Sequence, residues 1–147
     1  MGVTLSSQLA DGVTVLVDTN PIIYVLEGSA KAAAFMPLFA DIDAGRIQAL
    51  VTPITVAELV TGPLRAGKEA LAERYRRAVT ESAGWSLREI DAEIAMLAAR
   101  LRIVHRLKLP DAIQLATAVH EGCAALITHD RDFEGVNDLP ILGARAG

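Results

Sequence analysis

A chain of 147 residues has room for one domain with a core of useful size. Its composition, 52% hydrophobic but only 4% aromatic, weighs against an all-β protein dense in turns and favours an aliphatic helix-and-sheet interior. A formal net charge of −4 argues against a broadly basic surface, so any contact with nucleic acid needs a local patch or bridging cations.

Residues 1–12 are polar and weakly patterned and read as a flexible extension, with 13–147 as a single domain. The β-branched apolar run 13–18 predicts a buried strand that ends in Asp18. Asn20 is the expected cap of the helix that follows, with Pro21 in its first turn and Gly28 closing it after Glu27. One helix is predicted over 30–44, with Pro37 as its internal fault and Gly45 as its stop. A second strand spans 48–52, and Thr55-Val56-Ala57-Glu58 opens a short helix that stops at Gly62-Pro63. Lys68 to Ser82 is helical, with Arg74, Arg76 and Arg77 on or near its exposed face. Trp85 to Ile90 alternates like a third strand, and Asp91 caps a long helix to Arg106. The next helix starts at Leu109-Pro110-Asp111, turns Ala112, Leu115, Ala116 and Val119 inward, and ends at Gly122. Ala124 to Thr128 is a fourth strand, His129-Asp130-Arg131-Asp132 a turn, and Pro140-Ile141-Leu142 a last edge strand. Strands alternating with helices imply an α/β fold, a three-layer α/β/α sandwich around a parallel sheet of four to five strands.

Four acids stand where such a sheet collects its chemistry. Asp18 leaves the C-terminal end of the first strand and Asp130 follows the fourth, while Glu58 and Asp111 sit near the starts of helices that enter from that side. Each has an ordinary alternative. Asp18 could cap a helix, Glu58 could close a capping box with Thr55, Asp111 could answer a helix dipole, and Asp130 could make an Asx-turn. Asp132 has the same turn alternative as Asp130 and is the weaker candidate. Together the four would repel one another unless a cation joined them, and all-oxygen ligands select Mg²⁺ or Mn²⁺. The constellation predicts metal-assisted phosphodiester hydrolysis.

These residues also resemble a known family. Asp18-Thr19-Asn20, Glu58, the run Pro110-Asp111-Ala112-Ile113-Gln114-Leu115-Ala116-Thr117-Ala118, and Leu126-Ile127-Thr128-His129-Asp130-Arg131-Asp132-Phe133 are similar to PIN-domain ribonucleases, and among them to the VapC toxins of bacterial toxin–antitoxin pairs. The resemblance implies a PIN-like sandwich, an acidic metal cluster of Asp18, Glu58, Asp111 and Asp130, and support by hydrogen bonds from Asn20 and Thr128. It also implies a homodimer, an RNA substrate and a VapB-like antitoxin lying over the groove. In the mechanism expected from it, Asp18 and Asp130 hold the metal and Glu58 and Asp111 position the attacking water. In-line attack then leaves a 5′-phosphate and a 3′-hydroxyl.

Lys108 and Arg131 lie nearest the expected crevice and are candidate backbone-phosphate contacts. His105 and His120 read as helix-surface residues and His129 as part of a solvated turn. The single Cys123 excludes an intramolecular disulfide and reads as a small buried hydrophobe, and no Cys/His spacing suggests zinc. Without a leader pattern or an apolar run of bilayer length, a cytoplasmic chain with no membrane role is expected. Two other readings compete with the nuclease. A phosphatase forming an aspartyl-phosphate on Asp18 wants a second acid two residues on, where this chain has Asn20. A non-catalytic module binding RNA or protein would be signalled by loss of a cluster acid, and all four are present.

Overall fold

The computed structural model describes residues 4–144. Five strands form one sheet in the order β3-β2-β1-β4-β5, every neighbouring pair parallel. They are β1 (Thr14–Val17), β2 (Gln48–Val51), β3 (Trp85–Leu87), β4 (Ala125–Ile127) and β5 (Ile141–Leu142). Six α-helices connect and cover them: α1 (Thr19–Glu27), α2 (Met36–Asp43), α3 (Pro53–Arg65), α4 (Glu69–Thr80), α5 (Ala92–His105) and α6 (Leu109–His120).

The central strands are apolar throughout because both faces of a helix-covered parallel sheet are buried. Val15, Val17, Ala49, Val51, Ala125 and Ile127 point to one face and pack with Ile22 of α1, Leu38 and Ile42 of α2, Leu59 of α3 and Val79 of α4. Leu16, Leu50 and Leu126 point to the other, against Ile94, Ala98 and Leu101 of α5 and Leu115 of α6. The three expected layers are therefore present. Registry across the centre pairs Val17 with Ile127, so the ends of β1 and β4 are side by side. From β1 the chain first builds outward to β2 and β3, then returns to add β4 and β5 on the opposite side. A crevice opens where the direction reverses, at the carboxyl ends of β1 and β4.

Several elements differ from the sequence reading. The helix expected over 30–44 is two pieces, a 3₁₀ turn at Ala30–Ala34 and then α2, with Pro37 in the first turn of α2. Phe35 at the break is fully buried. Burying such a side chain is worth about 1.5–3 kcal/mol, more than the roughly 0.5–1.5 kcal/mol of one helical hydrogen bond lost there. α3 runs through Gly62-Pro63 to Arg65, since Pro63 lies in its last turns with its ring buried. The third strand is only Trp85–Leu87, its edge position giving it partners on one side alone.

The extension expected at 1–12 is, from residue 4 onward, packed against the domain; residues 1–3 lie outside the described residues. Arg46 fastens it. Its guanidinium donates to the carbonyls of Leu9 at 2.8 Å and Ser6 at 2.7 Å, and to the carboxylates of Asp41 at 2.9 Å and Asp11 at 3.0 Å. Ser6 and Leu9 are buried in consequence. His105 similarly holds the 134–140 loop through Asp138, with Nε2 and Oδ1 2.7 Å apart. Cys123 is buried, and that burial pushes its thiol up to about 11, as an inert apolar role requires. No helix among the described residues is long and apolar enough to cross a membrane.

Candidate active site

Asp18 extends the β1 ladder by one hydrogen bond, from its N–H to the Ile127 carbonyl at 2.8 Å, and then the chain turns into α1. It occupies the cap position of α1, but its side chain does not cap. Oδ2 accepts from Thr128 Oγ1 at 2.8 Å and Oδ1 from Gln114 Nε2 at 3.3 Å. Burial pushes this carboxyl above its ordinary value, and the Glu58 charge adds to the rise. The donors Thr128, the Thr19 N–H and Gln114 pull the other way. Asn20, expected to be the cap, is instead the second residue of the helix. It lines the cleft, and among the described residues no hydrogen bond joins it to the carboxylates, whereas Thr128 donates to Asp18.

Glu58 does not close a box with Thr55. The box belongs to Thr52 and Thr55, because α3 begins at Pro53, three residues earlier than expected. Glu58 is thereby carried into the second turn and exposed, where its Oε1 accepts from Thr19 Oγ1 at 2.7 Å. Asp111 is the third residue of α6, half-buried, and its carboxyl is pushed up to about 7. Burial is the first cause, followed by the charges of Asp130, Asp18, Asp132 and Glu58. Asp130 does make the Asx-type turn, its Oδ1 accepting from the Asp132 N–H at 2.8 Å and capping a 3₁₀ turn at Arg131–Phe133. Its own N–H donates to Thr128 Oγ1 at 2.9 Å, so the one buried threonine hydroxyl joins Asp18 to Asp130.

Asp18, Glu58, Asp111 and Asp130, with Thr19, Asn20 and Ile23, line one cleft of about 240 Å³. Carboxylate oxygens of Asp111, Asp130 and the exposed Asp132 lie within 4.8 Å of one another, although Asp132 does not line the cleft. Lys108 and Arg131 are exposed, on the N-terminal flank of α6 and in the 3₁₀ turn, and neither lines the cleft. A larger cavity of about 750 Å³ under residues 133–144 includes none of the four acids. His129 is not a solvated turn residue. Its Nδ1 lies 2.9 Å from Tyr24 Oη, and its ring meets Tyr24 and Phe35 edge-on.

The donor set is oxygen only and acceptor-only when ionised, and burial, with the neighbouring acids adding to it, pushes the Asp111 carboxyl up to about 7. Hard divalent cations fit such a set, and soft or nitrogen-preferring ions do not. Sequence reading missed Thr19, Thr52, Thr55 and Gln114. Gln114 carried a signal, a polar residue on the apolar face of α6 one helical turn after Asp111.

The model of the PIN domain family matches residues 15–139. Among solved structures, a toxin–antitoxin complex from Klebsiella pneumoniae matches with 28% identity over 85% of this chain and 94% of that one, TM-score 0.66. FitAcB from Neisseria gonorrhoeae matches with 24% identity over 86% and 95%, TM-score 0.68. VapBC2 from Rickettsia felis, bound to a DNA fragment from their promoter, shares 15% identity over 87% and 96%, TM-score 0.69. No curated protein matches the chain in sequence.

Proposed function

Because the chain belongs to the PIN domain family, with a VapC-like fold, we propose that it is a metal-dependent endoribonuclease and the toxin of a toxin–antitoxin pair. The observation that carries this reading is the convergence of Asp18, Glu58, Asp111 and Asp130, from four separate elements, on one cleft at the reversal point of the sheet. Asp18, Asp111 and Asp130, with Asp132 beside them, would hold Mg²⁺ or Mn²⁺. Such an ion supplies charge stabilisation at the scissile phosphate and a lower pKa for the attacking water.

The chain's own residues do the rest. Thr128 holds Asp18 and the Asp130 backbone in fixed relation. Thr19 occupies one oxygen of Glu58 and leaves the other open to the cleft. Glu58 and Asp111 face the same space and orient water for in-line attack on phosphorus. The P–O3′ bond breaks, the 3′ oxygen takes up a proton, and a 5′-phosphate remains. Lys108 and Arg131, exposed beside the cleft residues Asp111 and Asp130, are placed to meet flanking phosphates. A homodimer, a VapB-like antitoxin and action in the cytoplasm complete the reading, the antitoxin supported by the complexes that the fold resembles.

The test is incubation of the purified full chain with total cellular RNA and Mg²⁺ or Mn²⁺, mapping new 5′ ends. Discrete cuts that disappear with EDTA and in Asp18→Asn are expected. Cuts that persist in Asp18→Asn would overturn the site assignment. An intact fold that neither binds Mn²⁺ nor cuts RNA would favour a non-catalytic binding module.

A further inference from the structure

Gln114 is 1% exposed, on the face of α6 turned toward the sheet. Both ends of its amide are engaged. Oε1 accepts from Thr52 Oγ1 at 2.6 Å, while Nε2 donates to Thr55 Oγ1 at 3.0 Å and to Asp18 Oδ1 at 3.3 Å. A primary amide can turn over and exchange its donor end for its acceptor end with little change of shape. Turned over here, it would set a carbonyl oxygen against the Asp18 carboxylate. Thr52 opposes that. Its hydroxyl oxygen already accepts from the Ile54 N–H at 3.1 Å as the cap of α3, which directs its single hydrogen to the Gln114 carbonyl. Thr52 is itself fully buried and does not line the cleft.

We infer that Thr52 and Gln114 form a positioning relay: the hydroxyl of Thr52 fixes the Gln114 amide with its NH₂ toward Asp18, and that NH₂, opposite Thr128, sets the plane of the Asp18 carboxylate. The plane decides which lone pairs face the cleft. The relay also ties three separate pieces, the β2–α3 corner, α6 and the end of β1, to one carboxylate. It rests on the reading of the cleft as a metal site. Outer hydrogen-bond partners of ligating groups typically change metal affinity by about 10–100-fold.

Calorimetric titration of Mn²⁺ into the full chain tests this with Thr52→Val, Thr52→Ser and Gln114→Leu, each verified as folded by circular dichroism. Thr52→Ser keeps the hydroxyl and is expected to keep wild-type affinity. Thr52→Val and Gln114→Leu are expected to lose about tenfold. Equal affinity across folded variants would overturn the relay, because a merely structural role alters stability and leaves the folded protein's affinity alone. If the wild-type chain itself fails to bind Mn²⁺, the metal reading falls and the relay is judged without metal. Thermal midpoints of Thr52→Val, Asp18→Asn and their double variant then decide. Non-additivity between these two residues supports the relay, and additivity overturns it.

Discussion

At Asp111 burial, reinforced by the neighbouring acids, has a measurable sign. In the folded chain its carboxyl ionises at about 7, against an ordinary value of 3.8. Folding therefore strengthens proton binding at this group. Its contribution to stability is fully present below the unfolded value and is lost as pH rises through the folded one. Asp111→Asn resembles the protonated form and escapes the loss. In EDTA, scanning calorimetry is expected to show the wild-type midpoint falling relative to Asp111→Asn between about pH 4 and pH 7, with the variant the more stable of the two at pH 8. In a separate assay with Mn²⁺ and no chelator, Asp111→Asn is expected not to cut RNA under conditions where the wild type does.

Residues differ in how much of this was legible. Asp18 and Asp130 could be placed from sequence because each follows a short apolar strand, and a parallel sheet leaves few places for such a residue to go. Glu58 lines the cleft by a route the sequence did not show, since the start of α3 depends on Thr52 and Thr55 exchanging bonds, and Thr55 alone suggested a different box. Asn20 was given the cap that the backbone assigns to Asp18. The direction of a short polar side chain at a helix start depends on neighbours distant in the chain, as with Thr128 for Asp18, and one-dimensional spacing does not contain them.

Among the elements, the α5–α6 hairpin shows how a junction can be closed against local preference. Arg106 ends α5 at φ 56°, in the left-handed region, and is the one non-glycine residue there among those described. A side chain in that conformation costs roughly 1–2 kcal/mol, partly offset by its lower entropy in the unfolded chain. Arg106→Gly is expected to stabilise the protein by about 0.5–1 kcal/mol, read from urea unfolding midpoints at constant m. A loss of stability would mean that the arginine side chain contributes more than its backbone costs. Two of the helix boundaries that sequence misjudged share one cause. Pro37 and Pro63 were read as faults or stops, yet one sits in a first turn, where no hydrogen bond is lost, and the other in a last turn with its ring in the core.

For the molecule as a whole, the parallel sheet and the three layers followed from alternation of apolar strands with amphipathic helices, because only a covered parallel sheet buries both, whereas the strand order β3-β2-β1-β4-β5 came from the structure. The packing of residues 4–12 did not follow, since it depends on one cation, Arg46, reaching several carbonyls and carboxylates at once. If the cleft holds a divalent ion only in the folded state, Mn²⁺ must raise the stability of the entire chain. At a free concentration a hundred times the dissociation constant the gain is about 2.7 kcal/mol. Thermal midpoints should rise with Mn²⁺ in the wild-type chain and stay flat in Asp130→Asn; a rise of equal size in that variant would place the ion elsewhere.

The reversal of strand order also sets a timetable. Thr128 and Asp18 share a hydrogen bond although 110 residues separate them along the chain. Asp18 and Glu58 are made before Asp111, Asp130 and the strand that carries the last of them. Helices α1 to α4 can gather on β1 and β2 while translation continues. The cleft remains missing one wall throughout that time. A cleft arranged in this order has its four acids together only when β4 has taken its place beside β1.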